Sequence, residues 1–262
     1  MGIAVASIQM DVADKDRDRN IEKAVRMVGE ANKRGCRFVL LPEMFVTSFR
    51  YEYIEEIAEP LPGTAIAPLM EAARQYQLTI LAGSVPERVD EKIYNSSVLI
   101  SPDGSIAGVY RKIHLFPLMG EDEKLVPGDK LVVLQTEFGR IGFMICYDLR
   151  FPELARSLAA LGAEIIVVPA QFPYPRLDHW RALLQARAIE NQCFILATNR
   201  VGRYEHTKFF GHSCLYDPWG ELRFSAGDEE GIVWGELEQE KVAEVRQRIP
   251  CFKDRRPEIY KL

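Results

Sequence analysis

The chain is short of the features that would mark a metal protein or a disulfide-stapled one. Its four histidines show no metal-ligand spacing, and its five cysteines are odd in number, scattered and free of any CxxC pair. That pattern disfavours a zinc site, a thioredoxin-type centre and a disulfide framework, and predicts a cytoplasmic setting. No apolar run is long enough to span a bilayer. The opening MGIAVASIQM has neither a cationic region nor a cleavage site, so it reads as a first strand and not as a signal peptide. There is no basic stripe, and a net charge of −5 argues against nucleic acid as partner. No cofactor or metal ion is expected.

What remains is the composition of a globular chain, 47% hydrophobic and 27% charged over 262 residues, enough to bury a sizeable core. Residues 2–10 alternate as a strand. Ile21, Ala24, Val25, Val28 and Ala31 then recur at helical spacing within 17–34, Gly35 ends that helix, and Phe38–Leu41 is a second strand. Pro62, Gly63 and Thr64 lead into a helix over 65–76, followed by a strand at 78–84. Two more strands, 94–100 and 106–112, are joined by Pro102-Asp103-Gly104, a hairpin turn signal. The second half repeats this order, with strands at 131–136 and 140–145, a helix over 153–161 and an apolar strand at 163–170. A helix over 178–191, strands at 193–199, 211–216, 221–225 and 231–237, and a helix over 239–248 complete it. No proline- or serine-rich linker divides the halves, so residues 1–262 are predicted to form one α/β domain with internal pseudo-symmetry. Periodicity alone does not choose between two packed sheets and one doubly wound sheet.

Cys146 lies in IGFMICYDLRFPE, where a short apolar strand delivers a thiol to its end. The chain then turns through Tyr147–Pro152 into a helix at Glu153. Strand, sharp turn and helix make a nucleophile elbow, with amides just beyond the nucleophile able to donate to an oxyanion. A buried, inert thiol is the plainer alternative. Two other stretches bear on the choice. FVLLPEMF (38–45) ends a strand at Glu43, and VYRKIHLF (109–116) closes another at Lys112. In sheets flanked by helices, sites gather at the carboxyl ends of strands.

With Glu43, Lys112 and Cys146 in this order, the chain resembles the nitrilase superfamily of carbon–nitrogen hydrolases, whose catalytic set is a Glu, a Lys and a Cys. The resemblance implies a four-layer α-β-β-α sandwich. It also implies Cys146 as nucleophile, Glu43 as general base, and Lys112 beside the oxyanion with the amide of Tyr147. The stretch GEDEKLVPGD (120–129) resembles the family loop that brings a second acid to the pocket. By its distance from Pro127 that acid is Glu121, with Glu123 next, and its expected role is to orient substrate and hold Lys112 charged. Tyr147 stands where nitrile-cleaving members carry Trp, which favours amides.

CYDLRFPE (146–153), PRLDHWRALLQARAIENQ (175–192) and GHSCLYDPWG (211–220) are most similar to ω-amidases. These release ammonia from the terminal amide of short dicarboxylate monoamides such as 2-oxoglutaramate, and they need a cation for the distal carboxylate. Arg150 and Arg176 are the candidates, and either serves equally well as an ion-pair partner. The rivals are an N-carbamoyl amide hydrolase, a deaminated-glutathione amidase, and a catalytically silent protein on the same scaffold. The expected partners are a small amide substrate and a second copy of the chain, as at least a homodimer. The tail, about 249–262, carries Phe252, Ile259 and Tyr260 and can pack over a neighbouring subunit or fold back on its own chain.

Overall fold

Alternation of side chains along the first strands sorts apolar groups onto two faces, and the layering follows from that sorting. The computed structural model describes residues 2–48 and 51–260. Its first half runs β1 (Ile3–Gln9), α1 (Arg17–Lys33), β2 (Phe38–Leu40), α2 (Ile54–Ile57), α3 (Gly63–Tyr76) and β3 (Thr79–Leu81). Three antiparallel strands follow, β4 (Val85–Val89), β5 (Lys92–Ile100) and β6 (Ile106–Arg111), then the single-turn α4 (Glu121–Lys124). The second half runs β7 (Val133–Thr136), β8 (Gly139–Phe143), α5 (Pro152–Ala160), β9 (Ile165–Ala170), α6 (Leu177–Asn191) and β10 (Phe194–Asn199). The hairpin β11 (Val201–Tyr204) and β12 (Thr207–Phe210) precedes β13 (Cys214–Tyr216), β14 (Leu222–Ser225), β15 (Gly231–Leu237), α7 (Glu240–Arg248) and α8 (Pro257–Tyr260).

Two sheets with matching topology result. In the first, β1, β2 and β3 are parallel, β5 runs antiparallel beside β3, and β15 closes the far edge antiparallel to β1. In the second, β8, β9 and β10 are parallel, β13 runs antiparallel beside β10, and β7 closes the far edge antiparallel to β8. The last long strand therefore completes the first sheet as β7 completes the second. Ala6, Ile8, Val39 and Ile80 pack with Ala24, Val28, Ile66 and Leu69 of α1 and α3. Val5, Phe38, Leu40 and Leu81, on the opposite face, share a core with Phe143, Val167 and Leu196, and with Leu158, Trp180 and Leu184 of α5 and α6. That is the four-layer α-β-β-α sandwich. Two side chains also stitch the sheets together, Ser7 Oγ donating to the Ala197 carbonyl at 3.1 Å and Thr198 Oγ1 to that of Leu40 at 3.3 Å.

The structure departs from the sequence pattern at several strands and settles the path of the tail's first residues. Strand β4 and the hairpin β11–β12 were not foreseen, because VPERV and VGRYEHTKFF lack clean alternation and are held by pairing with β5 and with each other. The strand expected over 78–84 stops at Leu81, and that expected over 211–216 begins only at Cys214. The tail folds back on its own chain at its start, where the Phe252 ring lies 5.1 Å from the guanidinium groups of both Arg156 and Arg246. Ile259 and Tyr260 remain exposed at 67% and 46%. Among the described residues no helix is long and apolar enough to cross a membrane.

Gly83 is what allows β3 to end against the loop after β2. Its φ is +49°, and a Cβ there would lie 1.9 Å from the Pro42 carbonyl oxygen, one residue before Glu43. Gly83→Ala should therefore destabilise the fold by about 2–5 kcal/mol, from left-handed strain plus overpacking. Thermal melts should fall by roughly 5–15 °C; an unchanged melting temperature would show that this contact does not hold the loop.

Candidate active site

Glu43, Lys112 and Cys146 each sit just beyond a strand, in a turn whose backbone is fixed by its neighbours. Glu43 follows β2. Gln171, at the end of β9, grips that turn by donating Nε2 to the carbonyls of Glu43 and Met44 at 2.7 and 3.2 Å. Lys112 follows β6, its amide donating to the Asn95 carbonyl at 2.9 Å. Cys146 begins a 3-10 turn (Cys146–Arg150) with φ +46°, and the helix α5 starts at Pro152, one residue earlier than expected. A non-glycine residue at such a φ is strained by about 1–2 kcal/mol.

Asp148 holds the elbow in that conformation. Fully buried, it accepts from the Ile145 amide at 2.9 Å and the Tyr110 hydroxyl at 2.7 Å. Its other oxygen accepts from the His114 amide at 3.0 Å and contacts His114 Nδ1 at 2.8 Å. The residue before Cys146 and the loop after Lys112 are thus tied to one carboxylate.

The structure brings Glu43, Lys112, Glu121 and Cys146 together. Lys112 Nζ donates to Glu43 Oε1 at 2.8 Å and to Glu121 Oε2 at 2.7 Å, with all three residues at 0–1% exposure. Asn95 Nδ2 donates to Glu43 Oε1 at 3.0 Å and to Glu121 Oε1 at 2.8 Å. Two amides complete the shell, Gln171 N to Glu43 Oε2 at 3.0 Å and Phe116 N to Glu121 Oε2 at 2.8 Å. Cys146 lies beside Glu43, and the buried Tyr51 hydroxyl lies close to Glu121.

Burial sets the electrostatics. It pushes the Glu43 carboxyl above the ordinary carboxylate value; Lys112 opposes the rise and Glu121 adds to it. Burial also pushes the Cys146 thiol well up, and the neighbouring Glu43 anion pushes it further. Both effects favour the protonated thiol over the thiolate beside Glu43. Burial alone would lower Lys112, yet Glu121 and Glu43 outweigh it and raise the ammonium above its usual value.

A cavity opens onto this cluster, lined by Lys112, Phe116, Cys146, Tyr147, Arg150, Gln171, Phe172, Pro173 and Arg176. Glu43 and Glu121 stand behind that wall, so Glu121 reaches Lys112 without facing the cavity. Both predicted arginines line it. The Arg150 guanidinium lies 5.3 Å from the Phe172 ring and that of Arg176 lies 5.6 Å from the Phe116 ring. Neither pairs with a carboxylate among the described residues. Arg150 contacts only a histidine nitrogen, His179 Nδ1, at 3.4 Å. Glu123, the second choice in the acidic loop, is exposed, and the cluster takes Glu121 instead.

Sequence reasoning missed Asn95, Gln171 and Asp148. For Asn95 a signal existed, because Asn95-Ser96-Ser97 puts three consecutive polar residues in the middle of a strand, and all three are fully buried. Removing Asp148 should be costly. Asp148→Ala leaves the Ile145 and His114 amides and the Tyr110 hydroxyl without their acceptor, and the expected loss is about 3–5 kcal/mol in denaturant titrations. Asp148→Asn, which keeps one acceptor oxygen, should lose clearly less. Equal losses would mean that shape, not hydrogen bonding, holds the elbow.

Comparison with known proteins places this geometry. The carbon-nitrogen hydrolase family profile matches residues 4–247. The chain is 37% identical to a 2-oxoglutaramate amidase of Bacillus subtilis over 256 residues, covering 98% of each protein. It is 36% identical to human omega-amidase NIT2 over 266 residues, covering 98% of this chain and 96% of that one. Among solved structures, Saccharomyces cerevisiae Nit3, a member of branch 10 of the nitrilase superfamily, matches with a TM-score of 0.88 at 30% identity, covering 95% of this chain and 94% of that one. Fold, family profile and full-length relatives agree, and the chain belongs to the carbon–nitrogen hydrolase family of the nitrilase superfamily.

Proposed function

We propose that the protein is an ω-amidase, cleaving the terminal amide of small dicarboxylate monoamides through a Cys146 thioester, with 2-oxoglutaramate as substrate. The observation that carries this reading is a buried Glu43–Lys112–Cys146 cluster opening onto a cavity that holds two guanidinium groups without carboxylate partners. Relatives named for the same reaction support it. The arginines favour a carboxylate-bearing substrate over a nitrile or a neutral amide, and the relatives favour the ω-amidase reaction over other carboxylate-bearing amides.

The chemistry follows from the placement of each group. As Sγ bonds to the amide carbon, Glu43 takes the thiol proton, and the carbonyl oxygen becomes an oxyanion beside the Lys112 ammonium. The Tyr147 amide, in the first turn of a 3-10 helix where amides lack intrahelical acceptors, is the second donor. The C–N bond then breaks, Glu43 gives its proton to the departing nitrogen, and ammonia leaves a thioester. Water attacks next, its proton passing to Glu43 and from there to the released sulfur, so that acid and free thiol are restored. Glu121 keeps Lys112 charged throughout, which agrees with its place behind the wall. A base whose pKa is raised toward the working pH transfers protons more effectively than an ordinary carboxylate.

The distal carboxylate is assigned to Arg150 and Arg176. The cytoplasmic setting rests on five unpaired cysteines, one of them the exposed Cys251. A homodimer is assigned by family likeness, with the exposed Ile259 and Tyr260 as part of its contact, which sedimentation of the full chain against a chain ending at residue 256 tests.

Purified protein should release ammonia from 2-oxoglutaramate at least ~10²-fold faster than from N-carbamoyl amino acids or nitriles, and Cys146→Ala should abolish release. The opposite ranking would remove the ω-amidase assignment. Arg176→Ala should raise KM for carboxylate-bearing amides by about tenfold or more while leaving a neutral amide such as propionamide unchanged. A uniform effect on both substrates would take the carboxylate role away from it. Because Glu43 must be ionised to act and its pKa is raised, kcat/KM should fall as pH drops, with a midpoint above the ordinary carboxylate value. A limb at or below that value would argue against Glu43 as the base.

A further inference from the structure

Asn95 touches both buried carboxylates, and the chemistry above makes no use of it. It stands on β5, fully buried, with Nδ2 donating one hydrogen to Glu43 Oε1 at 3.0 Å and the other to Glu121 Oε1 at 2.8 Å. Its backbone carbonyl accepts from the Lys112 amide at 2.9 Å, so the same residue also fixes the chain that carries the ammonium. Its side-chain Oδ1, in contrast, is buried with no hydrogen-bond partner among the described residues.

That imbalance is informative. An unpaired buried acceptor is unfavourable, and a side-chain amide normally turns to avoid one. Here the reverse orientation would set Oδ1 against two carboxylate oxygens, take this donor from Glu121 Oε1 and leave Glu43 Oε1 with Lys112 alone. The orphaned oxygen is the lesser penalty, so the amide is locked by the two carboxylates. Lys112 and Asn95 together close a ring in which each donates once to Glu43 and once to Glu121. The ring contains two carboxylates but a single ammonium. A second cation would neutralise the pair and tie Glu43 more firmly, whereas an uncharged donor with two hydrogens holds both carboxylates while leaving net negative charge facing the thiol.

We propose that Asn95 is a positioning residue for the reaction, holding Glu43 and Glu121 side by side on one ammonium and aiming Glu43 at Cys146. This inference rests on the reading of Glu43 as the base. The groups facing Glu43 are Lys112 from the end of β6, Glu121 from α4, Cys146 from the elbow and Tyr51. The Gln171 amide also donates to Glu43, but apart from Asn95 only Lys112 donates to both carboxylates.

The test follows carbamidomethylation of Cys146 by iodoacetamide against pH, read by peptide mass so that the other four cysteines do not contribute. The full-length protein is compared with Asn95→Ala, Asn95→Ser and Glu43→Gln. Loss of a donor to the charged form makes Glu43 harder to ionise, so the acid limb of Asn95→Ala should move up by about one pH unit. Below the wild-type midpoint that is a roughly tenfold slower reaction, and above it the profiles should converge. Asn95→Ser, which keeps one hydroxyl hydrogen, should fall between them, and it serves alone if the alanine variant does not fold. A purely structural role would lower the melting temperature without moving the limb, and an unmoved limb in a folded variant overturns the proposal. Glu43→Gln separates the two readings. It should erase the limb; if it keeps the wild-type profile, Glu43 is not the base, whatever Asn95 does.

Discussion

One ammonium between two carboxylates, all out of water, is the constraint on which the rest of the site depends. Burying three charges carries a desolvation penalty of several kcal/mol per ion, and mutual attraction offsets it only when geometry is good and every remaining lone pair is met. The structure meets that requirement with neutral donors. Gln171 N, Phe116 N and Asn95 Nδ2 occupy the carboxylate oxygens that Lys112 leaves free or shares. The donors come from remote parts of the chain, so the cluster can exist only in the folded state. It is a poor source of stability and a strong demand on specificity.

The two-sheet scaffold answers that demand by gathering strand ends. Glu43 follows β2, Lys112 follows β6, Cys146 follows β8 and Gln171 follows β9, two from each sheet. Apolar cores on both faces of the sheets keep those ends in register, while the turns beyond them carry the strain. Cys146 at φ +46° is held by Asp148, and Met44 at φ +44° is held by Gln171 and by the Ser84 hydroxyl, which accepts from its amide at 3.0 Å. In both turns an unfavourable backbone state is offset by buried hydrogen bonds, from Asp148 two residues on in one and from Gln171 and Ser84, remote in sequence, in the other. A side chain placed by such a turn has little freedom to wander, which is what proton transfer over one hydrogen bond requires.

Much of this was legible in the chain. The βαβαβ order in each half follows from helical and strand periods, and the packed double sheet from resemblance to a family. Glu43, Lys112 and Cys146 could be named because each closes an apolar strand run, a signal carried within about ten residues. The strands that stayed hidden, Val85–Val89 and Val201–Phe210, owe their form to partners elsewhere and carry no period of their own. Asn95, Gln171 and Asp148 stayed hidden for a related reason. A polar residue announces burial only through what it meets, and their partners lie up to 128 residues away. The tail was half legible, since its aromatic residue was noted but not the two arginines that receive it.

The cavity wall shows how the same economy extends to substrate choice. A guanidinium in a pocket needs either a counter-charge or a reason to be there without one, and both Arg150 and Arg176 have aromatic faces beneath them instead of carboxylates. Stacking of this kind holds a planar cation by weak attraction, about 0.5–2 kcal/mol, and leaves its edge hydrogens unspent. An ion pair would hold it more firmly and also occupy the hydrogens that a ligand carboxylate must use. The two guanidinium groups repel one another, and with burial this lowers the pKa of Arg176, so an arriving anion relieves an existing repulsion as well as adding its own attraction. Negative charge behind the wall, at Glu43 and Glu121, disfavours a carboxylate at the sulfur. Under the proposed function, the opposed fields would orient a molecule bearing one amide and one acid, with the neutral end at Cys146 and the charged end at the arginines. On that reading polarity of the pocket, more than its shape, separates a dicarboxylate monoamide from a neutral amide of the same size.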